Sequence, residues 1–462
     1  MKSSSFLVAV LVFLMSTGVA SAQSSTGLKL QAMQSENAQL RERVEALEKA
    51  LGEINGKLAA QPLPAPAPAP EAAKPVVPEK PSIKAKYDVD LYGFMKLDMG
   101  WDSGRTDTGN FARWALSESA VAPDDRQFNQ TLNATRFGLN FKGPQTGNTK
   151  VGGQFEVDLF DGGTADNSPR PRTRHAFFLV DWPHDLSLLA GQTWDLIGPQ
   201  NPNTLDYTVA WQAGNLGFRS PQLRLSKGFD VGEGKLLAQV AAVRQIGDPL
   251  PPAAGSFETG SDSGRPSFQG RLGYTFPTTK GSKGTVGIWG HDGKDQYDVN
   301  LLGDSVDLDS WSRGFDLNVA FSKRLAIKGE LWEGKNLDVH QGGIGQGFLV
   351  ADATTVYVNN ATIRNPAFRW ADGIKTHGGW LELNVGPFDK WRFNLGLSED
   401  DPDDARFPTG ARTRNGLRWV NALYDLNEAV QLGVEYMLLR TDYKNALDGD
   451  VNRLQTSCIY KF

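Results

Sequence analysis

The chain has 462 residues, a formal net charge of −5, 50 glycines, 24 phenylalanines and a single cysteine, Cys458. One cysteine excludes an intramolecular disulfide, and the mildly acidic balance argues against a nucleic-acid partner. Beyond the N-terminus no segment approaches the roughly 20 apolar residues of a membrane helix, so an exported chain of this kind is either soluble or a barrel.

Residues 1–22 read as a secretory signal. Lys2 supplies the charge, Phe6 to Met15 is an unbroken apolar run, and Ala20-Ser21-Ala22 is a small-residue cleavage site that would leave Gln23 first. Residues 23–60 follow with a heptad pattern. Leu30, Asn37, Val44, Leu51 and Leu58 fall at a, and Met33, Leu40, Leu47 and Ile54 at d. In a parallel, in-register assembly Glu36 faces Arg41 and Arg43 faces Glu48, which favours a periplasmic coiled coil over a lone amphipathic helix. Leucine at a and isoleucine at d in the Leu51/Ile54 layer shift the preference above a dimer, and Asn37 would set register; a trimer held by Asn37, Leu40, Val44, Leu47, Leu51 and Ile54 is expected. Residues 61–86 are a proline-rich linker, either a semi-rigid polyproline spacer or a disordered tether with no length requirement.

From residue 87 to 462 the period changes to two. In VDLYGFMKLDMGW, from Val89 to Trp101, odd positions are apolar or glycine while Asp90, Lys96 and Asp98 occupy the other face. Similar segments place Phe137, Leu139 and Phe141 against Arg136 and Asn140, and Phe268 and Leu272 against Gln269 and Arg271. Short connections alternate with long ones, as in transmembrane barrels. The fold expected is all-β: an antiparallel transmembrane β-barrel of 16 strands, preceded by the α-helical coiled coil. Eighteen strands stay open if Gly334 to Gly373 hides a hairpin, and the facing of Thr173 to Trp182 is ambiguous. An even number puts both ends of the barrel on the short-turn, periplasmic side. The last residues, LQTSCIYKF, put Leu454, Thr456, Cys458, Tyr460 and Phe462 on one face, an aromatic-ended strand of the kind the barrel-assembly machinery recognises for insertion, with Tyr460 and Phe462 as the signal.

Sixteen strands enclose a lumen wide enough for water. Basic residues in inward phase include Lys96, Arg136, Lys142, Lys150, Arg271 and Arg392, and RTRNGLR is expected to present Arg412, Arg414 and Arg418 as a ladder along one wall. Such guanidiniums favour small anionic solutes with carboxylate or phosphate groups, unless they are consumed by Glu156, Asp158, Asp316, Glu330 and Glu382. The connection from Asp195 to Phe218 carries Leu196, Ile197 and Trp211 and follows Trp194. It is expected to fold into the barrel as a constriction near Arg219 and Arg224, the alternative being a loop packed on the surface. The clustered acids Asp400, Asp401, Asp403 and Asp404 read as solvated, with calcium or lipopolysaccharide bridging only weakly signalled. No metal site, cofactor or catalytic residue is expected: the five histidines lack ligand spacing and no serine sits in a GxSxG context.

The cleaved signal, the heptad helix, the proline-alanine tether, LYGFMKLDMGWD, GQTWDLIGP, FRSPQLRL and the aromatic C-terminus together resemble the DcaP-like trimeric outer-membrane porins. The resemblance spans nearly the whole mature chain through short, degenerate motifs. It implies a homotrimer in outer-membrane lipid that passes dicarboxylate-like anions, with a basic constriction carried over most directly onto Arg219 and Arg224. The competing reading is a structural or adhesive outer-membrane barrel tethered to the periplasm by its coiled coil.

Overall fold

The computed structural model describes Lys49 and residues 87–118, 125–161, 169–244, 263–279, 281–298, 305–351, 356–358 and 370–462. Apart from Lys49, the signal, the coiled coil with Asn37, Leu40, Val44, Leu47, Leu51 and Ile54, and the linker lie outside the described residues.

Sixteen antiparallel strands close on themselves. In chain order they are β1 (Asp88–Asp102), β2 (Arg136–Thr146), β3 (Thr149–Asp161), β4 (Arg170–Trp182), β5 (Leu186–Trp194), β6 (Arg219–Val231), β7 (Gly234–Val243) and β8 (Ser267–Pro277). The second half comprises β9 (Lys283–Asp298), β10 (Ser305–Ser322), β11 (Leu325–Lys335), β12 (Lys375–Phe388), β13 (Trp391–Pro402), β14 (Arg412–Asp425), β15 (Val430–Tyr443) and β16 (Gly449–Lys461). Each strand pairs with its sequence neighbour, and β1 closes the cylinder on β16, from Phe94↔Lys461 to Asp102↔Arg453. A separate short strand, Gln127–Thr131, extends β2 upward along the far half of β1, with the break at 132–135. The 336–374 connection holds no extra barrel strand among its described residues. Its segments Phe348–Ala351, Val356–Val358 and Trp370–Gly373 form a three-stranded sheet of their own, which leaves the barrel at 16.

Alternation explains the wall. Leu91, Met95 and Trp101 on β1, Leu395 and Leu397 on β13, and Tyr436 and Leu438 on β15 are exposed on the outer face, while Lys96, Asp98 and Asp102 of β1 are buried within. With all edges paired, no backbone donor of the ladder is left for lipid to strand. Two connections are shorter than the hydropathy pattern suggests. The β9–β10 ladder continues to Asp298↔Ser305, and β15 and β16 are joined by residues 444–448 alone. Backbone pairing goes on where the apolar alternation ends, because N–H and C=O groups profit from a partner in water as well as in lipid.

The chain terminus seals the seam. Phe462 exchanges two backbone hydrogen bonds with Gly93, each 3.1 Å, and its ring lies 5.8 Å from that of Phe137. A Cβ on Gly93 would sit 2.9 Å from the Phe462 ring and 2.3 Å from Arg136 O, so only glycine fits there. Two hydrogen bonds at about 0.5–1.5 kcal/mol each and one aromatic pair of about 0.5–1.5 kcal/mol are lost without Phe462. Deleting it is expected to lower the fraction of heat-modifiable barrel on unheated gels, an outcome that equal folding yields would contradict.

Candidate pore and its constriction

The interior is shaped by the connection between β5 and β6, residues 195–218, which turns into the barrel instead of packing on its surface. Its path is written in hydrogen bonds to the wall. Gln200 N–H donates to Glu330 of β11 at 2.8 Å and its side-chain amide to Asp316 of β10 at 3.1 Å. Asn203 N–H reaches Glu382 of β12 at 2.8 Å, and the N–H groups of Leu205 and Asp206 converge on Glu435 of β15 at 2.8 and 3.0 Å. Lys96 Nζ of β1 then donates to Leu205 O at 2.6 Å, Asp206 faces Arg453 of β16 at 3.6 Å, and the Tyr207 hydroxyl donates to Asp158 of β3. A loop without a ladder must satisfy its amides elsewhere, and this one uses strand-borne carboxylates as acceptors.

The return path is apolar. Ile197 and Leu216 pack with Trp289, Trp332 and Leu337, and Ala210 and Ala213 pack with Trp380, Leu417, Trp419, Met437, Leu439 and Val451 from the inner wall. Gly214 lies flat on that wall: its carbonyl accepts from Trp332 Nε1 at 2.8 Å, and a Cβ would meet Gly379 O at 2.3 Å. Val209 and Ala210 are left-handed, with φ of 48° and 62°. Such backbone costs roughly 1–3 kcal/mol per residue and persists when neighbours fix it; here Asn215 donates its side-chain amide to Val209 O at 2.8 Å and its N–H to Ala210 O at 3.0 Å.

This arrangement splits the lumen electrostatically. Asp316, Glu330, Glu382 and Glu435 are 0%, 1%, 0% and 1% exposed beneath the loop. Lys328 lies 3.4 Å from Glu382, and Arg271 forks onto Asp316 at 2.7 and 3.0 Å. On the wall of β2–β4 the balance is reversed. Arg136 approaches Glu156 at 3.5 Å, Arg172 pairs with Asp158 at 2.8 Å, and Arg174 bridges Glu156 at 2.6 Å and Asp158 at 3.0 Å. With Arg219 nearby, four guanidiniums face two carboxylates, a surplus of two positive charges. The Arg136 and Arg172 side chains each stay 23% exposed. Arg136 lies over the Phe94 ring and Arg172 over Phe160, which stacks on Tyr207 at 4.9 Å.

The expected selectivity residues are therefore dispersed. Arg136 faces the lumen, Arg271 is consumed by Asp316, and Arg392 pairs with Asp425 at 2.8 Å at the short-turn mouth. Arg219 is sealed: it is 1% exposed, with its guanidinium 4.6, 4.7 and 5.7 Å from the rings of Trp194, Phe218 and Trp211. Arg224 donates to Gln222 at 2.9 Å and to Trp194 O, tying the root of the inward loop. The ladder expected on β14 does not form. Arg412 lies 4.1 Å over Trp114 and donates to Ile344 O at 3.1 Å, pinning two long loops. Arg414 and Arg418 point out of the barrel, because Asn415, Leu417, Trp419 and Asn421 take the inner face under the folded-in loops, and a register irregularity separates Arg412 from Arg414. Apolar side chains inside the cylinder reversed the expected phase.

A ladder does occur, on β4, where RPRTRH carries Arg170, Arg172 and Arg174 at even spacing. A bulge opposite Glu156 and Val157 leaves Arg174 without a ladder partner and turns both Arg174 and His175 inward, which is why alternation could not settle this strand. At the long-loop end Asp372 joins two loops, accepting from Lys335 at 3.0 Å and Arg406 at 2.7 Å. Partial burial raises its pKa, but those hydrogen bonds outweigh burial and lower it overall. A lowered carboxylate contributes above its unfolded pKa and loses that contribution as pH falls through the folded value. Increased protease sensitivity of this loop pair is expected only below the ordinary aspartate range, and sensitivity rising already near neutrality would contradict it.

The closed cylinder with an inward loop and an electrostatically divided lumen defines the class as the outer-membrane porin fold. The barrel is similar to the outer-membrane channel DcaP of Acinetobacter baumannii, with a TM-score of 0.62 and 21% identity, over 82% of this chain and 99% of that one. It also resembles an anion-selective porin from Comamonas acidovorans (TM-score 0.50, 11% identity, 81% of this chain and 99% of that one) and OmpF of Salmonella typhi (0.53, 13%, 81% and 98%). No protein-family model matches the chain, and a search of curated proteins found no match. Within the porin class the fold is DcaP-like.

Proposed function

We propose that the protein is an outer-membrane porin through which small anionic solutes, including dicarboxylates, diffuse down their gradient. One observation carries this reading: the inward loop buries the acidic wall of β10–β15 at 1% exposure or less, while Arg136 and Arg172 on the opposite wall stay open to the lumen. A permeating ion then passes a surface with a positive surplus, held in a cylinder whose low-dielectric wall focuses the field. No residue of the chain is required to do covalent chemistry. The test is the reversal potential of the purified protein in planar bilayers under a salt gradient. Its sign should report anions as the preferred carriers, and a cation-selective or silent bilayer would refute the reading.

The same reading places three copies together, with residues 23–60 in the periplasm as a parallel coiled coil and Tyr460 and Phe462 presented to the assembly machinery. The heptads of the N-terminal segment support it. Removing Met33 to Leu58 is expected to leave foldable barrels whose oligomer dissociates at lower temperature; unaltered resistance to dissociation would assign the helix another task.

A further inference from the structure

The outer face of β13–β16 carries charge at the edge of its apolar band, as the face of β10–β12 does with Arg313, Glu333 and His377, but there Arg313 is paired with Glu333 at 2.5 Å. Arg418 stands opposite Leu397 of β13 and Leu438 of β15, both exposed, with exposed Val420 the next outward residue along the strand. Each of those two leucines is the last apolar residue of its strand's outward row, since Glu399 and Arg440 come next and flank Gly416. Arg414 is neutralised by Asp442 at 3.1 Å, and Arg440 by Asp442 and Asp448, each at 2.9 Å. Arg418 has no ion pair or hydrogen bond among the described residues. Because Gly416 lacks a side chain, the row opens into a recess of about 670 Å³ lined by Leu397, Glu399, Arg414, Arg418, Leu438 and Arg440.

We propose that this recess binds the phosphate of an anionic lipid of the surrounding leaflet. Arg418 supplies the charge, and the acyl chain lies along Leu397, Val420 and Leu438. A guanidinium without a protein partner in the uppermost apolar row stands within reach of lipid headgroups, and its planar fork matches phosphate oxygens. A second copy of the chain is the weaker occupant. Interface cores are depleted of charge, whereas Glu399, Arg414, Arg418, Arg440, Asp442, Asp448 and Asp450 crowd this face. The proposal rests on the membrane placement argued above but not on ion selectivity.

The experiment uses delipidated, detergent-purified full-length protein, mixed with bisphosphorylated lipid A or with its dephosphorylated form and examined by native mass spectrometry. Wild type should retain the phosphorylated lipid preferentially; Arg418→Gln should reduce that preference about tenfold, the loss expected for a charge-assisted phosphate contact, and Arg418→Lys should restore part of it. Equal retention by wild type and Arg418→Gln, or no preference for the phosphorylated form, overturns the site. Efficient disulfide cross-linking of two copies through Arg418→Cys would assign the face to a protein interface and overturn it equally. A barrel that inserts into bilayers without discriminating phosphate refutes the lipid site alone, whereas a chain soluble without detergent refutes both this site and the porin reading.

Discussion

Replacing Arg136 and Arg172 together by glutamine is expected to abolish anion preference. The cluster on β2–β4, with Arg219 of β6 beside it, sets Arg136, Arg172, Arg174 and Arg219 against Glu156 and Asp158, so the double change takes the surplus from two positive charges to none. Each carboxylate keeps a partner, since Arg174 reaches both and the Tyr92 hydroxyl donates to Glu156 at 2.9 Å. The barrel should therefore fold. A unit charge at 4 Å is worth about 1 kcal/mol even in bulk water, and more beside a low-dielectric wall. Removing two from the ion path should thus change the anion-to-cation permeability ratio by roughly an order of magnitude or more. Reversal potentials of wild type and variant in the same salt gradient measure it directly. Lysine at both positions should retain most of the preference, because the requirement is charge. An unchanged potential in the glutamine variant would place the selecting field elsewhere in the lumen.

The barrel was legible in the sequence because lipid imposes a period of two on any strand that crosses it, and Leu91, Met95 and Trp101 obey that rule on one face of β1. The inward turn of residues 195–218 was legible for a related reason: Leu196, Ile197 and Trp211 needed burial that water could not give, and the structure buries all three. Strand ends were less visible. Past the membrane only the backbone pairs, and the β9–β10 ladder therefore runs on to Asp298↔Ser305 with no apolar alternation to mark it. The pore charges were read least well. Alternation tells inside from outside only if the inside is polar, and on β14 and β15 Leu417, Trp419, Met437 and Leu439 face inward beneath the loops. That inverted the facing of Arg414 and Arg418. On β4 a bulge at Arg174 blurred the alternation, and Arg172 lies just before Thr173, where the expected strand began; these two arginines carry the ladder expected on β14.

The second large effect should come from releasing the inward loop. Glu435 accepts the N–H groups of Leu205 and Asp206 and the side-chain amide of Asn421 at 2.9 Å. Glu435→Leu would leave two buried loop amides without acceptors, at about 1–3 kcal/mol each. Opposing release are the apolar contacts of the return path and the Trp332 Nε1 bond to Gly214 O. Gly214→Val strikes that second anchor independently, since its Cβ would overlap the Gly379 carbonyl and the left-handed φ of 113° is strained for a β-branched residue. Either change is expected to raise single-channel conductance and make it noisier, and the two together should do so more than additively because each removes what holds the loop when the other is lost. Selectivity should fall at the same time, since a loop that leaves the wall uncovers Glu330, Glu382 and Asp316 to the ion path. Glu435→Gln, which keeps one acceptor oxygen, should sit between wild type and Glu435→Leu. Conductance that rises while anion preference holds would mean that the loop narrows the pore without screening its acidic wall.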